Sequence, residues 1–106
     1  MVVSGSLTVE YENADIREWI HQELEAAICE YVGRGGVVEQ IRTGLSVSST
    51  SVISVSDGKI EAIESPLKTG QIMMAAILGD QDPTETENII RKALSGIRSR
   101  ARSNIT

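Results

Sequence analysis

Hydrophobic and polar residues alternate near the start of the chain. Leu7, Val9 and Tyr11 fall on one face, and the residues between them are Thr8 and Glu10. This period of two is that of a strand with one buried and one solvated face. The pattern predicts a first β-strand over about residues 5–12.

After Asp15 the hydrophobic spacing changes to three and four. Asp15 supplies a side-chain acceptor for a helix N-terminus, and Glu18 follows at the capping-box spacing. Charged residues lie opposite an apolar stripe that consists of Ile16, Trp19, Ile20, Leu24, Ala27, Ile28, Tyr31 and Val32. The pattern predicts an amphipathic helix over about residues 16–32, ended by the glycines of segment 33–36.

The middle of the chain has the composition of β-structure. The segment 37–47 is rich in β-branched residues, and Asp57-Gly58 is the strongest hairpin signal in the sequence. A two-residue turn there predicts the pairs Val55 with Ile60, Ile53 with Ala62, Ser54 with Glu61 and Ser56 with Lys59. The first two pairs form an apolar face and the last two a polar face, so the alternation agrees with the turn.

This pattern gives a prediction for the core. One face of the first helix should be mostly buried against the apolar face of the sheet. The expected helix residues are Ile16, Ile20, Leu24, Ala27 and Ile28, and the expected sheet residues include Leu7, Val9, Ile53 and Ile60.

Residues 65–80 allow two interpretations. Ser65-Pro66 and Gly79 are suited to the start and end of a helix, whereas Gly70 and the short apolar run 71–78 favour a buried strand. We predict the strand and keep the helix as the alternative.

A second helix is predicted from Asp82 onward. Asp82-Pro83-Thr84-Glu85 combines an N-cap, a proline at the first helical position and a glutamate in the first turn. Its apolar stripe is Ile89, Ile90, Ala93, Leu94, Ile97 and Ala101. The chain is therefore predicted to be one α+β domain over residues 1–106. It has a single mostly antiparallel sheet and two amphipathic helices in the order β-α-β-β-β-β-α.

Composition indicates the compartment. The chain has one cysteine, Cys29, so it contains no intramolecular disulfide, which fits a reducing environment. Its first residues resemble a strand rather than a signal peptide, and no apolar run approaches the roughly 18 residues of a membrane span. We therefore expect a cytoplasmic protein that does not associate with a membrane.

Charge is distributed unevenly along the chain. Residues 1–90 carry a net charge of −10 and residues 91–106 a net charge of +5. Arg91, Arg98 and Arg102 fall along one stripe of the second helix and form the predicted partner-binding site. The expected partner is an acidic protein surface, either the protein's own body or another protein. A solvated helix end is the alternative, and the acidic body makes nucleic acid an improbable ligand.

No group of residues indicates catalysis. His21 and Cys29 are separated by about 12 Å along one helix, too far for a nucleophile–base pair. Asp80 and Asp82 are better suited to capping than to a metal, and the glycines of 33–36 follow a helix instead of preceding one. We predict no catalytic residue, no metal ligand and no cofactor.

These features favour a non-enzymatic protein-interaction or assembly module, as a homo-oligomer or a small subunit of a complex. Strand segments 4–8 and 47–55 carry no charge and no proline, and bare edges of this kind promote pairing between subunits. One alternative is a nucleic-acid-associated protein that uses the basic helix. Another is a small enzyme or ligand binder whose site is completed across a subunit interface, with Arg34 or Arg42 among its polar groups.

Overall fold

A computed structural model describes residues 2–35, 40–77 and 83–105. Over these residues the chain forms β1 (Val2–Glu12), α1 (Ile16–Gly33), β2 (Gln40–Ser56), β3 (Lys59–Ile77) and α2 (Pro83–Asn104). The three strands form one antiparallel sheet in the order β1-β3-β2. The predicted α+β class, with one antiparallel sheet and two helices, is confirmed.

The predicted order of elements is wrong in one respect. Four strands were expected after α1, and the described residues form two long ones. The strand favoured for residues 71–78 is confirmed as far as Ile77, but it is the continuation of the hairpin's second strand. Pro66 does not interrupt β3, because β1 pairs only from Leu67 onward and the β2–β3 register is irregular there.

The hairpin turn at Asp57-Gly58 has the predicted geometry. Both residues have positive φ, 53° and 75°, as the tight primed turn of a two-residue hairpin requires. The four predicted cross-strand pairs are all present in the β2–β3 register. Local chemistry therefore determines the register of the hairpin.

The core lies between the sheet and the two helices. Helix α2 packs on β1, and α1 packs alongside α2. The core residues in the main cluster are Leu7, Val9, Tyr11, Ile16, Ile20, Ile72, Met74, Ala76, Ile90, Ala93, Ile97 and Ala101. The core prediction is confirmed for Ile16, Ile20 and Ala27, which are buried, while Leu24 and Ile28 are half-buried.

Gly96 lets the two helices approach each other closely. The Glu23 carboxylate of α1 occupies the space that a side chain at position 96 would fill. From there its Oε1 accepts a hydrogen bond of 2.7 Å from Nε of Arg100. A glycine that weakens an isolated helix thus permits an ion pair between the helices.

Asn104 joins the end of α2 to the end of β1. Its Oδ1 accepts from the Glu12 backbone N–H at 2.5 Å, and its Nδ2 donates to the Glu12 carbonyl at 2.8 Å. The side chain thereby satisfies both main-chain groups of an edge-strand residue. The last turn of α2 is held to the sheet by this contact.

We expect Asn104→Ala to lower the free energy of unfolding by about 1–3 kcal/mol, because two partly buried main-chain groups lose their partners. Urea denaturation measures the change. Asn88→Ala is the matched control, since Asn88 is exposed on the same helix and its loss should change stability by about 0.5 kcal/mol or less. Equal effects of the two variants would contradict the role assigned to Asn104.

The molecule is elongated because the hairpin extends past the helices. Its radius of gyration is 18.0 Å, compared with about 13 Å for a compact chain of this length. Its long dimension is 66 Å. We call the projecting part of the hairpin, residues 50–56 of β2 and 59–66 of β3, the arm.

Candidate protein-interaction surface

The arm exposes large aliphatic side chains on both of its faces. The exposed fractions are 59% for Val52, 69% for Ile53, 70% for Val55, 74% for Ile60 and 62% for Ile63. The prediction that Ile53 and Ile60 belong to the core under α1 is therefore wrong. The physical reason is length: the 22 residues of α2 span about 33 Å, whereas the 19 residues of β3 span about 63 Å.

One face of the arm continues the helix-covered face of the sheet. In the body, Leu45 of β2 pairs with the buried Ile72 of β3, and both side chains lie on the helix side. Strand alternation carries the same side into the arm at Ile53, Val55 and Ile60. The arm thus presents an apolar surface that would be core if anything covered it.

The two edges of the arm differ in composition. On β2 the segment 43–56 contains neither charge nor proline. On β3 the arm segment carries Lys59, Glu61, Glu64 and Pro66, the residue types that block pairing with a further strand. In the described sheet β2 and β1 are the outer strands, so the uncharged segment lies on an open edge.

A groove lies at the base of the arm, between α1 and the outer part of β2. It has a volume of about 490 Å³ and is lined by Arg17, Ile20, Thr43, Leu45 and Val47. We call it the α1–β2 groove. The buried Oγ1 of Thr43 makes no hydrogen bond within the described residues. The groove is open, mostly apolar and on the same side of the sheet as the apolar face of the arm.

The arginines predicted to bind a partner lie at different places on α2. Arg91 pairs with Glu87 of its own helix at 2.7 Å, and both side chains are exposed. Arg98 and Arg102 line a hollow beside β1 together with Glu10. Sequence reasoning placed all three on one stripe, and the structure brings only the last two into a common hollow.

The cations that flank this stripe contact the protein's own acidic helix. Lys92 of α2 pairs with Glu30 of α1. Arg100 donates 2.7 Å hydrogen bonds to Glu23 and to Gln22. Part of the positive charge of α2 thus serves to hold the two helices together.

The two residues considered as a catalytic pair both lie on the exposed side of α1. His21 lies 3.4 Å from Glu25 on the exposed face of α1, and Cys29 is exposed. Burial, together with the negative charge of Asp15, raises the pKa of Tyr11 from its ordinary value. Within residues 2–35, 40–77 and 83–105 no three His, Cys, Asp or Glu residues are grouped to hold a metal.

Some predicted features lie outside the described residues. These are Asp80, Asp82 and the last glycine of segment 33–36. Neither of the described helices combines the length and apolar character that a bilayer crossing requires.

Sequence reasoning missed the arm, although a signal for it was present. Residues 40–77 contain a single strong turn signal, Asp57-Gly58, near their midpoint. One turn in so long a β-segment indicates two strands of about 18 residues, much longer than the usual 5–6.

Comparisons of the chain with protein-family models, with curated proteins and with solved structures give no match.

Proposed function

We propose that this protein is a non-enzymatic interaction and assembly module whose binding element is the arm. One observation carries the proposal: five large aliphatic residues on a projecting hairpin are 59–74% exposed. Such a patch costs free energy in water and is retained where a partner covers it. The partner that suits a patch of this kind is another protein surface.

The apolar surface of the arm is large enough to form the centre of a specific interface. Each fully buried Val or Ile removes about 60–120 Å² of apolar surface from water, so the five residues supply roughly 300–600 Å². A standard interface buries about 800 Å² on each partner. The arm would therefore supply the apolar centre of an interface, with main-chain and polar contacts at its rim.

The polar groups of the arm also favour a protein partner. Its charged residues are Glu61, Glu64 and the single cation Lys59, and Asp57 lies in the turn that joins its two strands. The arm contains no aromatic residue. A nucleic-acid-binding hairpin requires cations for phosphates and rings for base stacking, so the arm is poorly suited to that ligand.

The proposal is tested by removing the aliphatic groups of the arm. The arm variant combines Ile53→Ser, Val55→Ser and Ile60→Ser. The matched control removes three exposed aliphatic groups elsewhere, by Val32→Ser, Met73→Ser and Ile105→Ser. Sedimentation equilibrium at micromolar concentration gives the mass of each protein alone, and purification from cells gives the mass of each with its bound proteins.

We expect the arm variant to weaken association at least tenfold and the control variant to leave it unchanged. Exposed substitutions have small effects on the isolated chain, so both variants should retain the circular dichroism of the parent. If the parent is monomeric and binds no protein, or if the arm variant keeps every partner of the parent, the arm is not a binding element.

A further inference from the structure

We propose that the partner of the arm is a second copy of this chain, joined through antiparallel pairing of β2 with β2 of the partner around Ser51. This inference rests on the proposed function and specifies its partner. Two sheets of three strands would become one sheet of six. Each arm would then lie beside the body of the other copy, under the partner's α1.

The composition of the two arm edges selects β2 as the pairing strand. Its segment 43–56 has no charged residue and no proline, two of the features that block edge pairing, while β3 carries charges and Pro66 on its side of the arm. This difference in charge and proline content lies within one hairpin, so a difference in solvent exposure between two parts of the molecule does not explain it. A strand kept free of charge over 14 residues beside a charged neighbour is the composition expected of a strand that pairs.

A twofold axis at Ser51 gives each apolar arm a complementary surface. In antiparallel pairing around this point, Val55 stands opposite the partner's Val47, and the turn of the hairpin reaches the partner's Leu45. Val47 and Leu45 line the α1–β2 groove. The apolar face of each arm therefore extends the floor of the other copy's groove.

Helix α1 has an incompletely covered apolar flank at this position. Its Glu23 side contacts α2 through Arg100. Leu24 and Ile28 lie on the other side by helical periodicity, and both are only half-buried. A strand added beside β2 supplies the missing neighbour for these two residues.

Charges at the two contact regions are complementary. The guanidinium of Arg17 lines the groove and makes no ion pair among the described residues. Asp57 at the turn also makes none within that part of the chain. The proposed pairing brings Asp57 of each copy near the partner's Arg17, which favours this arrangement over one with the arms side by side.

In the reciprocal arrangement, the buried surface area also reaches that of a stable interface. A single arm falls short of the roughly 800 Å² that each partner of a standard interface buries. Reciprocal pairing doubles the contribution, because each copy donates an arm and accepts one. Pairing of residues 47–55 with their equivalents adds about ten main-chain hydrogen bonds.

Cysteine crosslinking tests the pairing and its register. In a Cys29→Ser background, Ser46, Ser48, Ser49, Thr50, Ser51 and Ser54 are replaced by Cys one at a time. A residue at a twofold axis meets its own copy, with Cα atoms about 5.5 Å apart, within disulfide range. We expect the crosslinked dimer to peak at position 51 under mild oxidation, while Glu61→Cys on the protected strand gives none. A yield that is equal at all sites, or highest at position 61, overturns the proposal.

A main-chain substitution provides the second test. Main-chain N–H groups alternate in direction along a strand, and Ser56, which flanks the two-residue turn, directs its N–H toward β3. Ser51 lies five residues before Ser56, so its N–H points away from β3 and toward the proposed partner. Ser51→Pro should raise the dimer dissociation constant at least tenfold in sedimentation equilibrium, whereas Ser51→Ala, which keeps the N–H, should leave it within about threefold. Equal constants for the two variants overturn the pairing. A monomeric protein whose arm still binds a different protein overturns this inference and leaves the proposed function standing.

Discussion

Replacing Ile72 by alanine is expected to lower the free energy of unfolding by about 2–5 kcal/mol. Ile72 is fully buried in β3, where it pairs with Leu7 on one side and Leu45 on the other. Truncation removes contacts in the middle of the sheet and leaves a cavity that neighbouring strands are too constrained to fill. Chemical denaturation followed by circular dichroism measures the loss.

Ile60→Ala is the matched control on the same strand. The residue type, the truncation and the strand are identical, but Ile60 is 74% exposed on the arm. At concentrations low enough to keep the protein monomeric, we expect a change of about 0.5 kcal/mol or less. Similar losses for the two isoleucines would show that the arm is packed against the body, contrary to the structure.

Gly70→Val is expected to destabilise the protein by about 1–3 kcal/mol through overpacking. Gly70 is buried at the centre of the sheet, between Val9 and Val47. A Cβ there would lie 2.6 Å from Cδ1 of Ile16 and 3.4 Å from Cε1 of Tyr11. Because Ile16 and Tyr11 are themselves buried, the Ile16 side chain would have to repack within the core to make room.

Gly44→Val provides the comparison on β2. A Cβ at position 44 meets no heavy atom within 4 Å, and the residue is exposed. Valine suits a strand better than glycine, so we expect no loss and a gain of up to about 1 kcal/mol. Thermal or urea unfolding of both variants at one protein concentration distinguishes them. A loss at position 44 as large as that at position 70 would contradict the packing described for Gly70.

The elements that could be predicted from sequence are those determined by neighbouring residues. The hairpin pairs follow from Asp57-Gly58, because only a few residue types adopt positive φ at both turn positions. Helix α1 follows from its N-cap and its apolar period, and α2 from Pro83 and its stripe. In each case the determining atoms lie within a few residues of each other along the chain.

Coverage of the sheet could not be predicted in this way. Ile53 and Val55 alternate with serines just as Leu7 and Val9 alternate with polar residues. Alternation shows which residues share a face of the sheet, whereas burial depends on whether a helix reaches that far along the strand. The uncovered arm results from the difference in rise per residue between helix and strand.

The contacts of Asn104 and Gly96 were also beyond local pattern reasoning. Asn104 bonds to a residue 92 positions away, and the value of Gly96 depends on Glu23 of the other helix. An asparagine at a helix end, or a glycine within a helix, is compatible with many different packing arrangements until its distant partner is known. Long-range contacts of this kind leave no signature in a single sequence.

The topology of the sheet implies that β2 and β3 pair with each other before β1 pairs with β3. β2 and β3 are joined by a two-residue turn, and their pairing can spread from this turn on the microsecond scale of isolated hairpins. β1 must instead pair with a strand up to 75 positions away, across a loop whose closure is slow. During synthesis, residues 2–12 leave the ribosome long before their partner in β3 exists. We therefore expect the hairpin to form before β1 pairs with it and before α2, which follows it in the chain, covers the body.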